Sequence, residues 1–433
     1  MFHFNCRKNL NYFLQLFFFF SPIKHCVTQM NTLSIWILSA VVCLGRSHHH
    51  LGHGQEETGQ DTAVDPGTSS VSLVTSANKE FTYSLYRKLA AHADLQGKNI
   101  FFSPRSVSMA LAALSVGARG ETHEQLFSGL GFNSSLLTQA NVDQLSQEDT
   151  SEGTAVFMDN CFKPQPDFLE VLKQSYFSEG FNVDFSKTTD SANTINTYVA
   201  EKTKGKIDKL VENLDPNTVM YLISYIYFKG KWQTPFEPKL TKEEDFNVAE
   251  NTKVPVQMMN MEEDEDVDVY HDLAINTSVL HLPFNSSYSM LLMLPNNMAE
   301  LETAICPGHV TKWLKWMKSR TYDIFVPKFS IKNSYKLNDV LNQMGMTDMF
   351  GDRADLSGIS EGQKLAVSEV VHQATLDVDE AGAIATAATG IGIGCLSLQY
   401  IPVMRFNRPF MVMIVDRITE ETLFIGKITN PNE

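Results

Sequence analysis

Residues able to do chemistry are scattered through this chain, and none falls into a catalytic or metal-binding spacing. His48, His49, His50 and His53 carry donors that suit a metal ion, but the polar sequence around them reads as a solvated tail. Cys161, Cys306 and Cys395 leave an odd number of thiols after residue 47, so disulfides do not organise the fold. There is no His/Cys ligand spacing, Gly-rich phosphate loop or nucleophile elbow, and nothing presents a Ser-His-Asp triad. What stands out is a tract suited to changing its place in a fold. Between Glu380 and Arg405 the chain runs 24 residues without a charge, opening on the small residues Ala381 to Thr389, with a Leu396-Ser397 pair further on.

Read with period two, Ala383, Ala385, Ala387, Thr389, Ile391 and Ile393 share one face of this tract, and Ile384, Thr386, Ala388, Gly390, Gly392 and Gly394 the other. Small and β-branched residues alternating with glycine suit a central strand packed closely on both sides. The same glycines, with Gly382, make an isolated strand unfavourable, because glycine loses the most backbone entropy on ordering. The tract is therefore competent both to sit in a loop and to be accepted into a sheet. An ordinary buried strand is the plain alternative. A membrane-spanning helix is disfavoured, since glycine and threonine rather than leucine dominate. Strand-like sequence, Ala374–Val378 before and Phe410–Val415 after, positions the tract.

The 433 residues are 43% hydrophobic and 20% charged, an ordinary globular composition with ample core. A net charge of −15 argues against nucleic acid or heparin as a principal partner. Met30 opens a short apolar core, Leu33 to Leu44, ending in small residues; residues 30–47 read as a secretory signal peptide, too short to span a membrane comfortably. Residues 1–29, with Phe17 to Phe20 and two cysteines, read as a mis-assigned or alternative start. Residues 48–70 form the histidine-containing tail, and 71–433 one large domain with no internal repeat or further linker. Secretion fits the glycosylation sequons at Asn133, Asn276 and Asn285.

Periodicity predicts helices over 78–93, up to Gly117 behind a Ser103-Pro104 start, and over 121–130, 165–178, 190–205, 309–318 and 335–344. Strands are expected at 99–104, 219–228, 254–259, 280–282, 289–294 and 324–326. The acidic run Glu262 to Asp266 reads as an exposed turn. The mixture is α+β.

Long ordered motifs then resemble the serpin family over nearly the whole chain from about Val71. They are Asn99 to Pro104, Phe228-Lys229-Gly230-Lys231-Trp232, Phe406 to Phe410, and the ending Phe424 to Pro431. The chain is most similar to the secreted plasma group that includes antitrypsin and antichymotrypsin. The resemblance implies three β-sheets, eight or nine helices and an exposed reactive-centre loop at about 381–404. It implies a suicide inhibitor of an extracellular serine protease, not an enzyme. The protease is held as a covalent acyl complex by a monomeric, cofactor-free protein, and the cut loop enters the central sheet. The family's spacing puts the scissile bond at Leu396-Ser397, with the bond after Leu398 as the alternative. Leucine there suits a chymotrypsin-like or related protease.

By the same resemblance Glu380, Gly382, Ala383, Ala385, Thr386, Ala387, Ala388 and Thr389 form the hinge, and Trp232 and Lys328 anchor it. Ser103, Ser106 and His372 match a polar cluster that gates the sheet. Taken alone, His372 reads as a satisfied core histidine. There are departures: Ser224 stands where the family has asparagine, and residues 134–155 look short, so the glycosaminoglycan-binding helix of some relatives is expected to be truncated. Cys395 beside the scissile bond reads as an incidental thiol. The alternative function is a non-inhibitory carrier of a small hydrophobic hormone. Clear hinge positions at Ala383, Ala385, Ala387 and Thr389 favour inhibition.

Overall fold

The computed structural model describes residues 66–132, 150–261, 266–362, 364–381 and 401–433. Among them are eight α-helices and sixteen strands in three sheets. In chain order the strands are β1 Ile100–Phe102, β2 Thr150–Asp159, β3 Glu179–Val183, β4 Met220–Phe228, β5 Lys242–Ala249, β6 Thr252–Asn260, β7 Asp266–Asp272 and β8 Thr277–Pro283. They continue as β9 Tyr288–Pro295, β10 Lys318–Thr321, β11 Asp323–Pro327, β12 Phe329–Lys336, β13 Glu369–Val378, β14 Val403–Arg405, β15 Phe410–Asp416 and β16 Thr422–Ile428.

Five strands pair in the order β12-β13-β4-β2-β3, seven in the order β1-β16-β15-β9-β8-β7-β10, and four in the order β14-β11-β6-β5. The central strand β4 is an apolar and aromatic run buried at every position, as expected of a strand covered on both faces. One face of the five-stranded sheet packs against helix Thr188–Lys202, where Ala155, Ile195, Val199, Tyr225 and Val371 share a cluster. The other face looks toward the seven-stranded sheet and helix Pro104–Gly117. That helix begins as its sequence dictates: Pro104 opens the first turn, and Ser103 Oγ caps it by accepting from Ser106 N.

Several expected bounds shift. The first helix spans Pro66–Ala91 rather than 78–93, and 309–318 becomes helix Pro307–Trp316, with Lys318 opening β10. The helix expected over 165–178 stops at Ser175; Phe177 turns the chain at φ 50, and Gly180 lies inside β3 instead of closing a helix. The helix expected over 190–205 is Thr188–Lys202, with Gly205 beyond it at φ 77. Of 335–344 only Asn338–Gln343 is helical, because Phe329, Ile331 and Tyr335 alternate into the core and carry β12 through Lys336. Within 134–155, residues 150–155 are strand; 133–149 lie outside the described residues, as do Glu262 to Glu265 of the acidic run.

Candidate functional site

The centre of the five-stranded sheet is a parallel seam. β13 pairs with β4 from Glu369↔Tyr221 to Leu376↔Phe228, with β12 and β2 antiparallel on either side. β13 then leads toward β14, an edge strand in the four-stranded sheet, parallel to β11. The segment between them therefore joins two sheets.

A transverse polar row crosses this seam on the face toward helix Pro104–Gly117. The registers Thr154↔Ser224, Ser224↔His372 and His372↔Tyr335 align four polar side chains on four adjacent strands. All four are buried, His372 completely. Ser103 N donates to His372 Nε2 at 3.0 Å, so that nitrogen must accept; the neutral ring then carries its proton on Nδ1, which meets Ser224 Oγ at 3.0 Å. Burial drives the His372 pKa down to about 3, and the contact with Ser224 offsets only part of this. Two residues before Ser103 along the chain, Phe101 N donates to the Tyr335 phenol at 3.0 Å. Alternate N–H groups of β1 and its exit thus reach into the sheet, while β1 pairs with β16 on its other side. Ser106 joins through Ser103 Oγ, which accepts from its N–H at 3.1 Å, and its own hydroxyl donates to Glu152 Oε2 at 3.3 Å.

The opposite face of the seam holds polar groups with no partner. Gln373 is wholly buried with both amide atoms unpaired, and Thr375 Oγ1 is likewise without a bond. An unmet buried amide destabilises by about 1–3 kcal/mol. Beside them the Tyr225 ring lies over Gly153, where a Cβ would come within 2.3 Å of the phenol oxygen. Glycine is required there by that close approach.

Where β13 ends, the chain is pinned. Trp232 Nε1 donates to Asp379 O at 2.7 Å and Trp232 N to Ala381 O at 3.2 Å, with the indole stacked on Phe284. Lys229 Nζ meets Asp379 Oδ2 at 2.7 Å. Lys328 Nζ meets Glu380 Oε2 at 2.8 Å, and Thr241 Oγ1 donates to Glu380 Oε1 at 2.9 Å. Burial acts to raise the Glu380 carboxyl, but Lys328, a backbone N–H and Thr241 outweigh it and hold the group below the usual range. At the far end, Arg405 pairs with Glu244 and covers the Phe325 ring at 3.4 Å.

The structure therefore brings together Ser103, Ser106, Ser224 and His372 in one network, and Glu380, Trp232 and Lys328 in another. Asn276 and Asn285 are both exposed, in the β7–β8 and β8–β9 turns. Gly382, Ala383, Ala385, Thr386, Ala387, Ala388, Thr389, Cys395, Leu396, Ser397, Leu398, Asn133 and the four tail histidines lie outside the described residues. Sequence reasoning missed Tyr335, Glu152, Thr241 and Asp379. Only Asp379 carried a signal, as the neighbour of Glu380; the others depend on strand register and helix packing.

Comparison with known proteins places these geometries in context. A family profile described as Serpin (serine protease inhibitor) matches residues 76–431. Serpin A3-5 of Bos taurus is 40% identical over 403 residues, covering 90% of this chain and 95% of the relative. A serine protease inhibitor of Mus musculus is 40% identical over 384 residues, 85% of this chain and 91% of the relative. Among solved structures, human thyroxine-binding globulin complexed with thyroxine superposes with a TM-score of 0.75 at 33% identity, over 84% of this chain and 100% of that one.

Proposed function

The chain belongs to the serpin family, and we propose that it is a secreted suicide inhibitor of a chymotrypsin-like serine protease. The observation that carries the reading is the parallel β4–β13 seam, with the uncharged tract following β13 after Asp379 and Glu380. A strand folding back from the end of β13 runs antiparallel to it, and therefore antiparallel to β4 as well. Insertion replaces one parallel pairing with two antiparallel ones, which are slightly more stable per residue. It also extends the sheet from five strands to six.

In this mechanism the protease serine oxygen attacks the Leu396 carbonyl carbon. The bond to the Ser397 nitrogen breaks, the amine leaves with a proton, and an ester joins inhibitor and protease. The freed tract then enters the seam, carries the acyl-protease with it and distorts its active site before water hydrolyses the ester. The polar row keeps the seam closed until then, and the Trp232, Lys229 and Lys328 contacts hold the start of the tract in place. The exposed Asn276 and Asn285 and the signal-like segment support secretion and glycosylation.

Incubation with chymotrypsin should give an adduct stable to denaturing electrophoresis, and sequencing of the released fragment should begin at Ser397. A fragment beginning after Leu398 would move the bond, and clean cleavage without an adduct would refute inhibition. The likeness to a thyroxine carrier supports one alternative, a hormone-binding protein. That reading requires a hydrophobic hormone to bind and the adduct to be absent.

A further inference from the structure

We infer that Glu152 and Arg105 extend the polar row into a charge-loaded latch, in which an ionised Glu152 loosens the closed β4–β13 seam and a neutral one tightens it. The inference rests on the reading of the seam given above and adds a pH-sensitive control to it.

Glu152 stands on β2 two residues before Thr154, so its side chain projects from the same face as the row. Its position opposes Ile226, an apolar residue of β4 that is fully buried. The contacts form a closed circuit. Glu152 accepts from Ser106, Ser106 donates to Ser103, and Ser103 donates to His372. His372 meets Ser224 on β4, and β4 returns to β2 through the Thr154↔Ser224 register. A change of charge at Glu152 is therefore felt on both sides of the seam.

The charges that face it do not balance. Arg105, on the same helix as Ser106, is held by Glu421 just ahead of β16, at 2.6 Å with side chains 12% and 22% exposed. Glu421 also accepts from Asn78 at 2.9 Å. Tyr288 of β9 and Tyr225 of β4 also lie near Glu152; phenols are neutral near pH 7, and burial shifts both further from ionisation. Two half-buried carboxylates thus share one guanidinium, which leaves one negative charge uncompensated. Burial raises the Glu152 carboxyl above its ordinary range; Arg105 and Ser106 counter part of this, and Glu421 adds to it.

The sign follows by linkage. A carboxyl whose folded-state value is raised destabilises the fold at every pH above that value. The penalty fades as pH falls through it toward the unfolded value of about 4.3. His372, held neutral by burial, acts in the opposite sense but is common to the two proteins compared below.

Glu152→Gln keeps the shape and the acceptor for Ser106 while removing the charge. Amide hydrogen exchange of Tyr221–Phe228 and Glu369–Leu376 in the intact chain, at about pH 7.5 and about pH 4.5, reads opening of the seam directly. At the higher pH the variant should exchange about 3- to 10-fold more slowly than wild type at these strands. Its melting midpoint should lie about 2–4 °C higher. Both differences should largely vanish at the lower pH. Equal exchange in the two proteins at the higher pH, a difference that persists at the lower pH, or slowing away from the seam would overturn the latch. No protease takes part, so a missing adduct would count against the inhibitor reading and leave this one standing.

Discussion

His372 has both ring nitrogens engaged, one by a backbone N–H and one by a hydroxyl, in a place that water does not reach. Each bond therefore matters chiefly through what its loss would leave exposed to an apolar interior. Ser224→Ala removes the partner of Nδ1 and adds no bulk, so it should lower unfolding stability by about 1–3 kcal/mol in chemical denaturation. Unchanged stability would mean that the Ser224 contact does not hold the ring. Ser224 meets the ring through a single hydroxyl, and the Ser103 N–H supplies the other half. Gln373, the next residue along β13, faces the other way, and its side-chain amide has no hydrogen-bond partner. One strand thus places a fully bonded imidazole beside an unbonded amide, stabilisation and strain at adjacent positions.

At the scale of elements, β13 and β4 are held by a ladder from which a returning strand would displace every bond. The inward positions expected for that strand, Ala383, Ala385, Ala387 and Thr389, are small and uncharged. Ala383→Arg should leave folding intact yet convert the inhibitor to a substrate, since a charge buried on insertion costs several kcal/mol. The stoichiometry of inhibition measures this, and an unchanged value would count against insertion. Helix Pro104–Gly117 and strand β4 were legible because a Ser-Pro cap and a continuous apolar run are local signals. β2 was not: Glu152 and Gly153 look wrong for a central sheet until Ser106 and the Tyr225 ring are seen to meet them. In the same way Ser103, Ser224 and His372 came through family resemblance. Tyr335 could not, because its role depends on a register between β12 and β13 that no short window encodes.

For the molecule as a whole, the proposal requires a resting fold that is not the most stable one available to the chain. Cleavage in the tract should raise the melting temperature by about 10 °C or more, the shift expected when several kcal/mol of new pairing and burial is gained. Calorimetry before and after clipping reads it, and no rise would remove the driving force for inhibition. The bond from Ser103 to His372 spans 269 residues, and β1 pairs with β16, far later in the chain. At about 5–20 residues per second of synthesis, β1 waits roughly 15–50 s for His372 to be made. The ribosome therefore presents an incomplete molecule for most of translation, with the early helices holding a place for strands not yet born. Closure of the polar row therefore waits on β13, and β1 gains its sheet partner only once β16 has been made.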